Sequence, residues 1–236
     1  MDNSLKQDFK DAIAFWDSAL SATDEQKQEI AEAVPGEEWK EMAPSKKLYD
    51  AIAEAAGHGR MLDYGCGDGW GALTAAKLGC TDVTAVDMAA NAVDLAKVYM
   101  KTYGVEDRVK AEAIDENWLA DQPDESYDAF FCSNVLDVIP LDIAEDILDN
   151  AARILKKGGR AVIGMNFYMT PEAAKERGLE VKEGRYLYSN GVLRMSLVSD
   201  EEWTDLLGKR FKVEKIDHFA WPGEPKEGRR LFILSK

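Results

Sequence analysis

Between Met61 and residue 167 the chain repeats one rhythm: a short apolar run, a turn, then a stretch with helical spacing. Its first turn lies in RMLDYGCGDGWGAL, residues 60–73, where four glycines follow an apolar run within seven positions. Glycine at that density serves a backbone that must take left-handed angles or pass close to another group. Strands are expected at residues 61–64, 82–86, 109–113, 127–132 and 160–167. Helices are expected from the glycine turn to Leu78, over 91–103 and over 143–155. The last is read as closed by Lys156-Lys157-Gly158-Gly159, a basic final turn with a glycine stop. Such alternation builds βαβ units and hence a doubly wound, mostly parallel α/β sheet with helices on both faces.

The flanks differ. Residues 3–33 read as two helices, the first marked by Leu5, Phe9, Ile13 and Trp16, with Thr23 or Asp24 capping the second and Pro35-Gly36 ending it. A third helix follows Ser45 and carries Leu48, Ile52 and Ala55. Beyond residue 167, Asn190-Gly191 between apolar runs signals a hairpin with a type I′ turn. Strict alternation places Tyr186, Tyr188, Leu193 and Met195 on one face, with Tyr186 opposite Met195. A helix over 200–207 and strands over 211–219 and 230–234 complete a seven-strand count. The expected organisation is one domain, 1–236, with a helical cap (1–58), a cofactor-binding core (59–167), a hairpin insert (168–199) and a C-terminal helix with two strands (200–236).

Charge narrows the partners. The net charge of −15, from 29 basic and 44 acidic residues, opposes nucleic-acid binding, which is dominated by phosphate contacts. A small neutral or cationic molecule fits better. No apolar run approaches membrane-spanning length, and MDNSLKQDFKD lacks the apolar stretch of a secretory signal, so cytoplasmic residence is expected. Cys66, Cys80 and Cys132 are odd in number and lack CxxC spacing, which argues against a disulfide framework or a metal site and for buried thiols. The sequence says nothing about oligomeric state.

The glycine turn admits two cofactor classes. Gly67-Asp-Gly69-Trp-Gly71-Ala72 fits the dinucleotide pattern G-x-G-x-x-A, with Asp87 downstream as a ribose-binding acid, and a nicotinamide-dependent oxidoreductase is the alternative reading. Asp63 and Asp68, however, flank the loop with negative charge that repels a pyrophosphate and suits a cation. The stretch LDYGCGDG resembles the first motif of class I S-adenosylmethionine-dependent methyltransferases, a strand ending in Asp followed by G-x-G-x-G. VTAVDM, AIDENW, YDAFFCSNVLDVIP and ILKKGGRAVI resemble four further landmarks of that family, in order.

The resemblance implies a seven-stranded sheet in the order 3-2-1-4-5-7-6 with its last strand antiparallel. It also implies S-adenosylmethionine as cofactor, S-adenosylhomocysteine as product and a small organic acceptor. The implied cofactor residues are Asp63, Gly65, Cys66, Gly67 and Gly69 in the turn, Asp87 for the ribose and Met88 against the adenine. Asp115 and Glu116 stand near the adenine amino group, with Ser133 and Asn134 flanking the cofactor. Many relatives carry His or Glu where this chain has Asp137, which is read instead as a helix N-cap. Trp39, Met42, Tyr186, Tyr188 and Met195 are the expected acceptor-lining residues. His218, at the end of a strand, is the candidate proton acceptor, whereas His58 is expected at the surface. A cofactor binder without chemistry is a further alternative.

Overall fold

The computed structural model describes residues 3–236. Four helices come first: α1 (Asn3–Ala19), α2 (Asp24–Glu32), α3 (Trp39–Met42) and α4 (Lys46–Ala56). Thr23 starts α2 with a full capping box, its hydroxyl accepting from Gln26 N while Gln26 Oε1 accepts from Thr23 N. Ser45 caps α4. The short helix α3 has no periodic signal and was not expected.

The core continues as β1 (Met61–Tyr64), α5 (Trp70–Lys77), β2 (Val83–Asp87), α6 (Ala90–Thr102), β3 (Val109–Ala113), β4 (Tyr127–Ser133), α7 (Leu141–Ile154) and β5 (Leu155–Met165). An inserted unit then runs α8 (Pro171–Glu176), β6 (Glu180–Lys182), β7 (Tyr186–Ser189) and β8 (Val192–Ser196). The chain closes with α9 (Asp200–Gly208), β9 (Lys212–Phe219) and β10 (Arg229–Ser235). Seven strands form one sheet, β3-β2-β1-β4-β5-β10-β9. The β1 to β5 pairings are parallel, and β10 runs antiparallel between β5 and β9. This is the expected order 3-2-1-4-5-7-6, with β9 as its strand 6 and β10 as its strand 7. The strand order reverses at β1 and β4, and ligands of open α/β sheets gather outside the carboxyl ends of strands at such a switch point. Two apolar layers, one around Leu62, Phe130 and Trp203 and the other around Ile52, Leu73 and Phe131, bury the two faces.

Three local expectations need correction. Lys156-Lys157-Gly158-Gly159 is not a helix end leading into a loop. α7 stops at Ile154, and these residues lie within β5 as a bulged corner, where the register with β4 jumps between Tyr127 and Ala129. Gly158 takes φ 78°, and its N–H bonds the carbonyl of Lys236 at 2.8 Å, so the last residue of the chain stitches the corner shut.

Asp137 is not a helix cap. Pro140 precedes α7, while Asp137 is fully buried, accepting from Asn166 N at 2.7 Å and lying 3.7 Å from the buried guanidinium of Arg230. Burial raises its carboxyl above the usual range, and Arg230 opposes that rise.

The insert is a three-stranded antiparallel sheet, β6-β7-β8, and its hairpin is irregular. Tyr188 faces Leu193 as expected, but Arg194 is an extra residue, so Leu187 faces Met195 and Tyr186 faces Ser196. One bulged residue turns the rest of its strand over, each later side chain exchanging faces. Tyr186, Tyr188 and Leu193 therefore pack with Leu5 of α1, whereas Met195 packs on the other side with Ala174 and Leu197. The bulge also lays the Arg194 guanidinium 3.7 Å over the ring of Phe15 and 5.1 Å over that of Trp16.

α1 is thus held from two sides. Tyr188 donates its hydroxyl to Asp8 at 2.6 Å, and Asp17 accepts from Asn91 N at 2.8 Å and Asn91 Nδ2 at 2.9 Å. α6 has no side-chain cap of its own at Ala89, so Asp17 serves as its cap from another helix. Asp17→Ala should cost about 1 kcal/mol in urea denaturation, the usual value of a lost cap. An unchanged midpoint would show that the contact contributes nothing.

Candidate functional site

Gly65, Gly67 and Gly69 take φ 72°, 55° and 86°, so the turn is a run of alternate left-handed residues that side chains would strain. Each has a different neighbour. A Cβ on Gly65 would land on Cγ2 of Val135, and one on Gly69 would lie 2.6 Å from Met100 Cε. Gly71 is ordinary in angle but tightly packed, since a Cβ there would lie 2.6 Å from Phe131 and 2.8 Å from Asp63 Oδ2. It is therefore Gly71 that brings α5 down onto β1 and β4.

Asp87, at the end of β2, ties this turn to the next. Its Oδ2 accepts from Gly67 N at 2.9 Å and its Oδ1 from Ala89 N at 2.8 Å. Burial raises its carboxyl, and these two N–H groups pull the other way. Asp63 is more extreme. It is 1% exposed, its Oδ2 has no hydrogen-bond partner, and burial pushes its carboxyl up to about 8, with Asp87 and Asp68 adding like charge. A buried carboxylate oxygen left without a donor is costly unless a cation comes near.

Above the turn lies a cavity of about 380 Å³, within the roughly 300–1,000 Å³ usual for small-molecule sites. One end is formed by Gly65, Cys66, Gly67, Asp68, Asp87, Met88 and Ile114, and the floor by Ser133, Asn134 and Val135. Phe9, Ile13 and Trp16 of α1, with Leu20 just beyond its end, roof it. The far end is closed by Met42, Pro44, Val138, Ile139, Asn166 and Trp221. Asn166 and Trp221 are fixed from behind by Arg229, which donates to Asn166 Oδ1 at 2.6 Å, stacks 3.6 Å over the Trp221 ring and pairs with Glu224 at 2.8 Å. A second cavity of about 340 Å³, at whose edge stand Lys6, Lys10 and Glu116, shares Phe9, Tyr64, Met88 and Ile147 with the first.

The expected cofactor residues Gly65, Cys66, Gly67, Asp87, Met88, Ser133 and Asn134 thus meet at one cavity; Gly69 closes the same turn and Asp63 is buried in β1 before it, neither lining the cavity. Two others sit apart. Asp115 is exposed and bends its own loop, Oδ1 accepting from Asn117 N and Trp118 N, and Glu116 lines the second cavity and a third beside α1 but not the main one.

Of the acceptor set, only Met42 lines the main cavity. Trp39 is buried in the second apolar layer, stacked on Tyr49 at 6.2 Å between centroids. Tyr186 and Tyr188 face α1, and Met195 lies beyond the insert sheet, because the roof over the site is α1 rather than the hairpin. His218 is not a wall residue either. Its Nε2 lies 2.9 Å from Asp200 Oδ2, on the strand edge where it pairs with Arg230. His58 is exposed as expected, and all three cysteines are buried and free, burial raising each thiol.

Sequence reasoning took Trp16 as packing and missed Asn166 and Trp221. The spacing that marks α1 as amphipathic was the available signal for Trp16. Nothing local signals the other two, which reach the site through the β5–β10 pairing.

Residues 61–159 match the sequence profile of a methyltransferase domain family. This stretch, from β1 to Gly159, is thus similar to a methyltransferase domain. It is 33% identical to the 27-O-demethylrifamycin SV methyltransferase of Amycolatopsis mediterranei over 130 residues, covering 53% of this chain and 46% of that one. It is also 33% identical to the ribosomal protein L11 methyltransferase of Laribacter hongkongensis over 158 residues, covering 67% of this chain and 46% of that one. The chain therefore spans less than half the length of the curated relatives it matches. Among solved structures, an S-adenosylmethionine-dependent methyltransferase from Mesorhizobium loti shares the fold, with TM-score 0.60 and 18% identity over 80% of this chain and 96% of that one. The profile match runs from the first residue of β1 to Gly159, so the methyltransferase core holds the glycine turn, Asp87 and the cavity floor. α1, Asn166 and Trp221 lie outside it. Among the described residues no helix is long and apolar enough to cross a membrane, and no group of His, Cys, Asp and Glu is placed to hold a metal ion.

Proposed function

We propose that this protein transfers a methyl group from S-adenosylmethionine to a small organic acceptor held in the cavity beneath α1. The observation that carries this is the buried, unpartnered Oδ2 of Asp63 under a glycine turn whose wall bears Asp68 and Asp87 and, among the described residues, no lysine, arginine or histidine. That arrangement favours a cation and opposes the pyrophosphate of a dinucleotide.

When bound, S-adenosylmethionine supplies a methyl group already activated on a sulfonium. The residues fit it. Asp87, whose oxygens keep lone pairs beyond the two N–H bonds, would accept from the ribose hydroxyls. Met88 and Ile114 would flank the adenine, and the Asp63 side of the turn would face the positive charge. What remains for the chain is alignment and exclusion of water. Phe9, Ile13 and Trp16 roof the cavity with apolar surface, and the far end is a pocket of apolar side chains with one amide, Asn166. The apolar and aromatic lining of this cavity supports a small organic acceptor.

Titration calorimetry with S-adenosylmethionine tests the reading. The wild type should bind, and Asp87→Ala should lose about tenfold or more in affinity, since the ribose hydrogen bonds to a charged group contribute roughly 1.5–3 kcal/mol. Binding that survives Asp87→Ala undiminished would remove this cavity as the cofactor site.

A further inference from the structure

The cavity walls carry information about the acceptor as well as the donor. The wall presents three indole rings, Trp16, Trp70 and Trp221, together with the phenol of Tyr64. Its ionisable groups are acidic apart from Tyr64 and the Cys66 thiol: Asp68 and Asp87 line it, and Asp63 and Asp137 are fully buried just behind the wall. Each of these two buried carboxyls has one oxygen without a hydrogen-bond partner, Oδ2 in Asp63 and Oδ1 in Asp137.

Cations do approach from outside: Lys6 and Lys10 line the adjoining cavity rather than this one, and three arginines are engaged with other partners. Arg229 behind Trp221 is paired with Glu224, and Arg230 lies 3.7 Å from Asp137 and 3.5 Å from Asp200. Arg194 stacks on the rings of Phe15 and Trp16 from the insert side. Among the described residues, then, no positive side chain lines the space an acceptor would fill.

Building on the methyl-transfer reading, we propose that the acceptor is an amine that enters and reacts uncharged, its methylated product being the cation held against the indole walls, and that carboxylate- and phosphate-bearing acceptors are excluded. Two arguments converge. An anion entering the cavity would meet Asp68 and Asp87 on a wall with no lysine, arginine or histidine among the described residues, in a medium where charges are poorly screened. An amine or its methylated, cationic product is held instead by aromatic faces and the surrounding negative field. The wall also has no imidazole or lysine to take a proton from an alcohol, whereas a free amine needs none taken before it attacks. Its nitrogen lone pair forms the new C–N bond as the C–S bond breaks, the bonding pair remains on sulfur as a thioether, and any surplus N–H proton leaves to solvent.

The test is binding, so it does not depend on knowing the natural acceptor. Benzylamine, benzyltrimethylammonium and phenylacetate are titrated calorimetrically into the full chain, with and without saturating S-adenosylhomocysteine. The two nitrogen compounds should bind at least about tenfold more tightly than phenylacetate, the scale of a desolvated cation–aromatic contact. Met42→Lys, a half-buried change at the far end of the cavity, should narrow or invert that preference while the melting temperature shows the variant folded. Phenylacetate binding as tightly as the amines, or neither amine binding below about 10 mM (a free energy under roughly 3 kcal/mol), would overturn the proposal. So would a preference that Met42→Lys leaves untouched. Failure of S-adenosylhomocysteine to bind the wild type would instead sink the methyl-transfer reading, and the titrations without it would still decide which charge the cavity accepts.

Discussion

Asp63→Asn should make the ligand-free protein more stable near pH 8 while weakening its hold on S-adenosylmethionine. The folded carboxyl titrates near 8, whereas its ordinary value is 3.8, and desolvation is the main cause. Between about pH 4 and pH 8 the folded chain keeps a proton that the unfolded chain has lost. The unfolded state binds fewer protons there, so stability falls as pH rises through that window. Four pH units of such linkage correspond to about 5 kcal/mol as an upper limit. Asparagine fills the same space without ionising, so the variant should show a flat profile and a melting temperature raised by about 5 °C or more at pH 8, at roughly 2–4 °C per kcal/mol for a chain of this size.

The opposite effect should appear on binding. A cationic ligand favours ionised Asp63, so wild-type affinity should rise with pH towards 8 and that of the variant should not. Thermal melts and calorimetry across pH 5–9 read both effects. A wild-type stability that is level across the range, or an Asp63→Asn variant that binds as tightly as wild type, would refute the role given to this carboxyl.

The second large effect is expected at Gly65. Alanine there must hold φ near 72° and place a methyl group on Cγ2 of Val135. The left-handed angle costs roughly 1–2 kcal/mol and overpacking typically a further 1–3 kcal/mol. Val135 lines the cavity floor, so relief by moving it narrows the ligand space. Gly65→Ala should therefore lower both stability and S-adenosylmethionine affinity, the latter by more than about tenfold. Adding Val135→Ala should recover part of each by removing the colliding methyl. If the double variant is no better than the single one, contact with Val135 is not why this position needs glycine. Gly67 makes a useful contrast, because a Cβ there would meet, among the described residues outside its chain neighbours, nothing nearer than Leu20 Cδ1 at 3.8 Å.

The methyltransferase core was largely legible because local chemistry and tertiary role coincide there. β1 and β3 run over the expected residues: β1, buried on both faces, announces itself by an apolar run bounded by turns, whereas β3 is an edge strand with Lys110 and Ala113 exposed. Asp87 was legible for a similar reason, since an acid at the end of β2 has one place to go. Elsewhere a single residue defeated the pattern. Arg194 looks like any outward position of a strand, and only the packing of Tyr186 and Met195 on separate sides reveals it as the bulge. Asp137 had the composition of a cap but the burial of a core group, and what makes that tolerable is Arg230, far away in sequence. The far end of the cavity was illegible for the same reason, since Trp221 and Asn166 meet only after β10 inserts beside β5.

The placement of α1 sets the order in which the site can be completed. Its polar and stacking contacts reach Asn91, 74 residues on from Asp17, Tyr188, 180 residues on from Asp8, and Arg194 beside Trp16. Long loops must close before any of these contacts forms, and such closures are the slow ones. The first helix of the chain is therefore expected among the last to dock, which pulsed hydrogen exchange during refolding would read as late protection of α1. Until the insert has folded, the glycine turn and Asp87 lie beneath an open roof, and the cavity becomes an enclosure only when residues from both ends of the sequence have met.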